Sequence, residues 1–272
     1  MEGHRTRGRA RIGVVVPFSN TNLEPDTAML CPPGVSVHFA RAEGYDLDAI
    51  PDEHQMRHYS DAPFEEVVDS LLGCRPDVVL YGCTSATLAR GPEFDAEFRR
   101  RIEEHAAVPA VTAASAVIEA LRDLGVERFA FSSPYVPSLN DLAVSFIEAF
   151  GFRCVGRADA GAPLGNDEVA ALTPEDVMAL AGEADDARAE AVVLSCTDMR
   201  AAEAVPAIEA SLDKPVVTSN QAMMHAALKR LGISPDECAL RRHRLAGRGR
   251  ADRQSGSDLD AREVSAACRR AG

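Results

Sequence analysis

Hydrophobic positions along this chain fall into two alternating patterns. Short runs rich in Val, Ile, Leu and Phe occur at residues 11–17, 77–81, 108–112, 128–133, 191–194 and 214–218, each bounded by Pro, Gly or a small polar residue. Runs of that length and composition read as strands, and their nearly unbroken apolar character fits strands covered on both faces, as in a parallel sheet. Between them, residues 63–72, 93–105, 139–150 and 174–183 carry apolar side chains at helical spacing. Strands alternating with helices predict βαβ units with right-handed crossovers, and so an α/β fold.

The pattern also repeats. Arg11-Ile12-Gly13-Val14-Val15-Val16-Pro17 answers to Arg128-Phe129-Ala130-Phe131-Ser132-Ser133-Pro134. Asp77-Val78-Val79-Leu80-Tyr81-Gly82-Cys83-Thr84 answers to Ala191-Val192-Val193-Leu194-Ser195-Cys196-Thr197. Val108-Pro109-Ala110-Val111-Thr112 answers to Lys214-Pro215-Val216-Val217-Thr218, each followed by a helical stretch stopped at Gly125 or Gly232. Similar offsets indicate a diverged duplication and no short-period solenoid. The expected architecture is two pseudo-twofold-related lobes, each a parallel sheet flanked by helices, with the active site in the cleft between them. Lobe 1 is expected to take residues 1–114 plus 219–240 and to hold Cys83. Lobe 2 takes 115–218 and holds Cys196.

Composition narrows the function classes. No apolar run approaches the roughly 20 residues that span a bilayer, and the polar, Arg-rich start lacks a signal-peptide pattern, so a cytoplasmic protein without membrane partners is expected. The net charge of −13 argues against nucleic acid as a partner. Residues 241–272 carry nine Arg against four acidic residues, leaving −18 on the rest; this charged tail is expected to be disordered. Seven cysteines, an odd and widely spaced set without a Cys-x-x-Cys pair, do not form a disulfide framework. His54 and His58 have the i, i+4 spacing of zinc-binding histidines, but no Glu follows His54, so they read as surface residues of an acidic helix.

The candidate chemistry lies with Cys83 and Cys196. Each ends a buried strand in a matching frame and is followed by Thr, at the edge where open α/β sheets bind ligands. A thiol entering a helix start meets free backbone N–H groups and is expected to be held as the reactive thiolate. The same N–H groups, with the hydroxyls of Thr84, Ser85 and Thr197, suit carboxylate oxygens.

The segments Pro17-Phe18-Ser19-Asn20-Thr21-Asn22-Leu23-Glu24-Pro25-Asp26, Gly82-Cys83-Thr84-Ser85, Ser133-Pro134-Tyr135, Ser195-Cys196-Thr197-Asp198-Met199-Arg200 and Thr218-Ser219-Asn220-Gln221-Ala222-Met223-Met224 together resemble the aspartate/glutamate racemase superfamily, and within it most closely the maleate cis–trans isomerases. That resemblance implies a cofactor-independent isomerase, commonly a homodimer, acting on a small dicarboxylate such as maleate. Cys83 is then the nucleophile and Cys196 the acid and base, with a succinyl-cysteine intermediate. Asn20, Tyr135 and Asn166 would hold the substrate carboxylates. Asn20 has a structural alternative, since Thr21-x-x-Glu24 has the pattern of a helix capping box. Competing readings are a two-cysteine amino-acid or hydantoin-type racemase, an arylmalonate decarboxylase-like enzyme, and a non-catalytic dicarboxylate-binding protein. The decarboxylases have glycine where this chain has Cys83.

Overall fold

The buried apolar runs become parallel strands in two sheets of identical order. The computed structural model describes residues 8–43 and 46–237. The charged segment 241–272, Cys238 and Cys268 lie outside the described residues. In the first sheet β1 (Ala10–Pro17), β2 (Val35–Ala42), β3 (Val78–Tyr81) and β4 (Ala110–Thr112) are ordered β2-β1-β3-β4. In the second, β5 (Arg128–Ser133), β6 (Arg153–Asp159), β7 (Ala191–Leu194) and β8 (Val216–Thr218) are ordered β6-β5-β7-β8. The three repeated segments are thus β1 and β5, β3 and β7, and β4 and β8. Both inner strands β3 and β7 are buried at every position, which is why their sequences lack polar alternation.

Helices pack on both faces of each sheet. In the first half they are α1 (Leu23–Leu30), α2 (Glu53–Asp61), α3 (Glu65–Leu72), α4 (Thr84–Leu88), α5 (Pro92–Ala106) and α6 (Ala113–Leu124). The second half adds α7 (Pro137–Glu148), α8 (Asn166–Ala171), α9 (Pro174–Ala184), α10 (Ala201–Leu212) and α11 (Ser219–Arg230). Helices were expected over 63–72, 93–105, 139–150 and 174–183, and α3, α5, α7 and α9 occupy those stretches. His54 and His58 are exposed on α2.

Two strands escaped the hydrophobic pattern. The edge strands β2 and β6 are half-buried and carry His38, Arg41, Arg153, Arg157 and Asp159. Polar side chains on edge strands discourage pairing with other chains, and they also mask the strand signal.

The Thr-started helices form as their sequences suggest. Thr112 accepts from Ser115 N at the head of α6, and Thr218 from Gln221 N at the head of α11. Gly125 ends α6 with a left-handed φ of 66°, a conformation glycine adopts without strain. Although α11 follows β8 of the second sheet, it packs on α6 and also reaches α1 and β3 of the first. Glu119 and Asp123 of α6 pair with Arg230, Lys229 and His225 of α11. Among the described residues no helix is long and apolar enough to cross a membrane.

Where α11 meets α1, Asn220 Nδ2 donates to Asp26 Oδ2 at 2.8 Å. Burial pushes the Asp26 carboxyl up to about 7; the Asn220 bond opposes this, and nearby Glu203 adds to it. A carboxyl whose pKa is raised by folding binds its proton better in the folded state. Its contribution to stability is therefore present at acid pH and lost as pH climbs from about 4 through about 7. Asp26→Asn is expected to flatten the pH dependence of the unfolding free energy by on the order of 4 kcal/mol between pH 4 and pH 8. Urea titrations of both proteins across that range check it, and parallel curves would refute it.

Candidate active site

In each sheet the chain switches direction between its two central strands, and the crevice at their carboxyl ends is where such sheets bind ligands. Four loops leave the two crevices: 18–22 after β1, Gly82-Cys83 after β3, Pro134–Val136 after β5 and residues 195–200 after β7. The structure brings them together. Asn20 Nδ2 donates to Thr197 Oγ1 at 3.1 Å, and Thr197 Oγ1 donates in turn to the Gly82 carbonyl at 2.9 Å. Thr197, from the second sheet, thereby ties the Asn20 loop to the peptide next to Cys83.

Asn20 is both cap and cross-link. Its Oδ1 accepts from Leu23 N at 2.8 Å and Asn22 N at 3.1 Å, holding the head of α1. The Thr21-x-x-Glu24 capping box does not form, because α1 begins at Leu23 and Glu24 pairs instead with Arg41. One hydrogen of the Asn20 amide goes to Thr197 and the second is not used by these bonds.

Cys83 occupies the N-cap position of α4 in extended backbone; its sulfur makes no cap hydrogen bond, but the nearby Ala86 and Ser85 amides favour its charged form. Ser85 Oγ lies 3.7 Å from that sulfur and 2.9 Å from Met56 Sδ of α2. Gly82 permits this arrangement: a Cβ there would lie 2.4 Å from Leu23 Cδ2 and 2.8 Å from the Val15 carbonyl. Cys196 differs from its counterpart. It enters an irregular turn, and α10 starts five residues later. Asp198 N donates to its sulfur at 3.4 Å.

Tyr135 links the two thiols. Its buried hydroxyl lies near Ser85 and Ser195 and close enough to both sulfurs for each to influence its ionisation. The phenol pKa stands well above its ordinary value, first through burial and then through Cys196 and Cys83, so the hydroxyl stays neutral and able to donate. Behind it, Tyr135 N donates to Ser133 Oγ, and Asn140 Nδ2 donates to the Tyr135 carbonyl and to Asp159, which Arg157 pairs.

The expectation of a lowered thiol pKa is not met. Cys83, Cys196 and Tyr135 are only 6%, 7% and 6% exposed. Burial pushes Cys83 up to about 11, against the Ala86 and Ser85 amides, and Cys196 up to about 12, reinforced by the Asp198 carboxylate. Helix-head donors reduce the desolvation cost of a thiolate but do not cancel it. The asymmetry survives: Cys83 is the easier to ionise and Cys196 the better held as a thiol.

The remaining sequence candidates sit differently. Thr84 Oγ1 donates to Ser219 Oγ at 2.9 Å, so its hydroxyl ties α4 to α11. Asn166, at the head of α8, donates through Nδ2 to the Leu47 carbonyl at 3.1 Å, linking the loop after β2 to the second sheet. Residues that sequence reasoning left without a role include Asn140, Ser219, Asn220 and Asp198. Asp198, Ser219 and Asn220 carried a signal, since they lie in the segments on which the resemblance rests, whereas Asn140 carried none. Among the described residues no cluster of three His, Cys, Asp or Glu side chains has the arrangement of a metal site.

The family model described as arylmalonate decarboxylase matches residues 12–243. The chain is 30% identical to a maleate isomerase of Pseudomonas putida, over 83% of this chain and 93% of that protein. Its fold superposes with a TM-score of 0.73 on a Nocardia farcinica maleate cis–trans isomerase bound to TRIS, at 26% identity, covering 82% of this chain and 93% of the other. A cysteine-to-serine variant of a Nocardia farcinica maleate cis–trans isomerase, with a covalently bound succinylcysteine intermediate, matches with the same TM-score of 0.73 at 25% identity over the same shares.

The closed, protonated site leads to two measurements. Iodoacetamide at pH 7.5 is expected to label half-buried Cys74 before Cys83, and Cys83 before Cys196, with mass mapping giving the order; Cys196 reacting first would contradict the asymmetry. Gly82→Ala is expected to cost about 1–3 kcal/mol of stability, because neither the Val15 carbonyl nor Leu23 has room to give; an unchanged melting temperature would contradict the close approach.

Proposed function

The chain belongs to the arylmalonate decarboxylase family, and we propose that within it this protein is a cofactor-independent cis–trans isomerase of maleate or a related cis-enedioate. The observation that carries the reading is the pairing of two buried thiols across one cleft with the Tyr135 hydroxyl between them. The maleate isomerase relatives support the reaction class. Cys83 is what separates the reading from a decarboxylase.

In the proposed mechanism Cys83 first releases its proton to solvent as substrate enters; its thiolate then adds to one alkene carbon, and the displaced electron pair moves toward the far carboxylate as an enediolate. Cys196 gives its proton to the other alkene carbon, leaving a saturated succinyl-cysteine and a Cys196 thiolate. The carbon–carbon bond, now single, rotates. Cys196 takes a proton back from the same carbon, the double bond re-forms in the trans arrangement, and Cys83 departs as thiolate, which solvent reprotonates. Nothing is consumed, and each sulfur ends in its starting state.

The electrostatics favour this division of labour. Cys83 has helix-head amides to receive its charge, while the Asp198 carboxylate opposes charge on Cys196 and keeps it an acid. The neutral Tyr135 hydroxyl and the free hydrogen of the Asn20 amide are the donors assigned to the substrate carboxylates, where they stabilise the enediolate as it forms, and Ser85 joins them only when its proton leaves Met56 Sδ. Thr84 and Thr197, whose hydroxyl protons are given to Ser219 and Gly82, are assigned to positioning. Asn166 reaches the substrate in this reading only after releasing Leu47. The return of α11 onto α1 supports the division of the described residues into a Cys83 lobe that includes 219–237 and a Cys196 lobe over 115–218.

Proton NMR of the protein with maleate in D2O tests the proposal. Fumarate carrying deuterium is expected from the intact protein, and Cys83→Ala or Cys196→Ala is expected to lower the rate by at least about a thousandfold. Absence of fumarate with intact protein would overturn the isomerase reading. The same tube then tests phenylmalonate decarboxylation and α-proton exchange in amino acids.

A further inference from the structure

The loop that carries Asn20 is gripped from two sides by groups of opposite charge. On its own lobe, Arg41 of β2 donates through one guanidinium nitrogen to the carbonyls of Phe18 at 3.1 Å and Asn20 at 2.8 Å. From the opposite lobe, the Asp198 carboxylate accepts from Thr21 N at 2.8 Å, Asn22 N at 3.0 Å and Asn22 Nδ2 at 3.3 Å, all on Oδ1. Asn22 Nδ2 also donates to the Asp198 carbonyl at 2.7 Å and to the Ala170 carbonyl of α8 at 3.0 Å. A loop whose carbonyls face a cation and whose amides face an anion has its peptide dipoles aligned between them.

Asp198 is also two residues from Cys196, and its own amide is the donor to that sulfur. One residue therefore holds the Asn20 loop with its side chain and the acid thiol with its backbone. We propose that Asp198 is a positioning residue that clamps the two lobes together across the cleft, fixing Asn20 and Cys196 in one frame and keeping the site closed. The proposal deepens the isomerase reading, and its kinetic consequences rest on that reading; its structural consequences do not. Burial lifts the Asp198 carboxyl to about 6, against the bonds from Thr21 and Asn22 and the charge of Arg41. The clamp is thus ionised at neutral pH, where charge-assisted bonds to backbone N–H groups are at their strongest.

This arrangement differs from an ordinary surface cap in what its loss does. Removing the carboxylate leaves Thr21 N without its acceptor and takes one acceptor each from Asn22 N and Asn22 Nδ2, so the boundary opens while each lobe keeps its own core. Both thiols then become accessible, although only one of them neighbours the altered residue in sequence.

The test uses the full chain as Asp198→Ala, Asp198→Asn and Asn22→Ala. Amide exchange of the peptide spanning residues 18–24, and iodoacetamide labelling of Cys83 and Cys196 mapped by mass spectrometry, are each expected to accelerate about tenfold or more in Asp198→Ala. Asp198→Asn keeps an oxygen for Thr21 and Asn22 and is expected to recover much of the protection. With maleate as substrate, Asp198→Ala is expected to raise KM by a larger factor than it lowers kcat, because the Asn20 loop must then be ordered at the moment of binding. Unchanged exchange and unchanged labelling in Asp198→Ala would overturn the clamp. If that variant does not fold, Asn22→Ala probes the same contact from the other lobe, and wild-type protection there would overturn it equally. Faster exchange in a protein that makes no fumarate would uphold the clamp and remove the isomerase reading.

Discussion

The Thr197 hydroxyl joins two lobes that otherwise fold around separate sheets. It accepts the Asn20 amide and donates to the Gly82 carbonyl, and each of those partners is itself committed: Asn20 holds the head of α1, and Gly82 holds the approach to Cys83. Such a bond requires that the loops after β1, β3 and β7 meet, and they do so at the carboxyl ends of the two sheets. Asn220 adds to it by donating to the Thr197 carbonyl at 3.1 Å while bonding Asp26. The cleft is therefore assembled by buried polar groups bonded to one another, although Asn220 Oδ1 has no partner. Losing one member of such a network leaves its partner desolvated and unpaired, which makes the arrangement specific as well as stable.

Closure also sets the chemistry. A dicarboxylate entering an acidic protein would be repelled by the field of the whole molecule, and the cleft counters this with neutral donors. Arg41, the cation nearest the Asn20 loop, has its guanidinium occupied by loop carbonyls and Glu24. Neutral donors suit a reaction in which charge moves from a sulfur to a carboxylate and back. In the proposed isomerisation they would stabilise the enediolate without locking the ground-state dianion in place. The cost is a resting site in which both thiols favour the protonated form.

The duplication explains why two cysteines occupy equivalent sites, and its divergence explains why they are unequal. Strand order is the same in both halves, so both thiols arrive at a switch point. Beyond that point the halves part: Cys83 runs directly into α4 and collects its amides, whereas Cys196 runs into a turn whose carboxylate, Asp198, faces the other lobe. One ancestral geometry is thereby split into two sites that both disfavour negative charge, the one beside Asp198 more strongly. The same divergence gives the second lobe its own support for Tyr135, through Asn140, Asp159 and Arg157, where the first lobe uses Arg41 and Asn20.

Fold class, repeat, inner strands and the place of two cysteines at the ends of strands were legible in the sequence, because burial on both faces and a sharp strand end leave their mark within a few neighbouring residues. Thr112 and Thr218 were likewise legible as the heads of α6 and α11, since a cap is a local interaction. The edge strands β2 and β6 were not, because their polar side chains follow from lying at a border that exists only once the sheet is formed. Nor were the long-range partners of Asn20, Thr84, Thr197 and Asp198, which lie more than 100 residues away along the chain. The thiol pKa values belong with these: a helix-start position promised a lowered value, and only the packed cleft decided that burial outweighs a few backbone amides. Short-range sterics and periodicity are written in the chain, whereas desolvation and cross-lobe bonding arise only when the two halves close on each other.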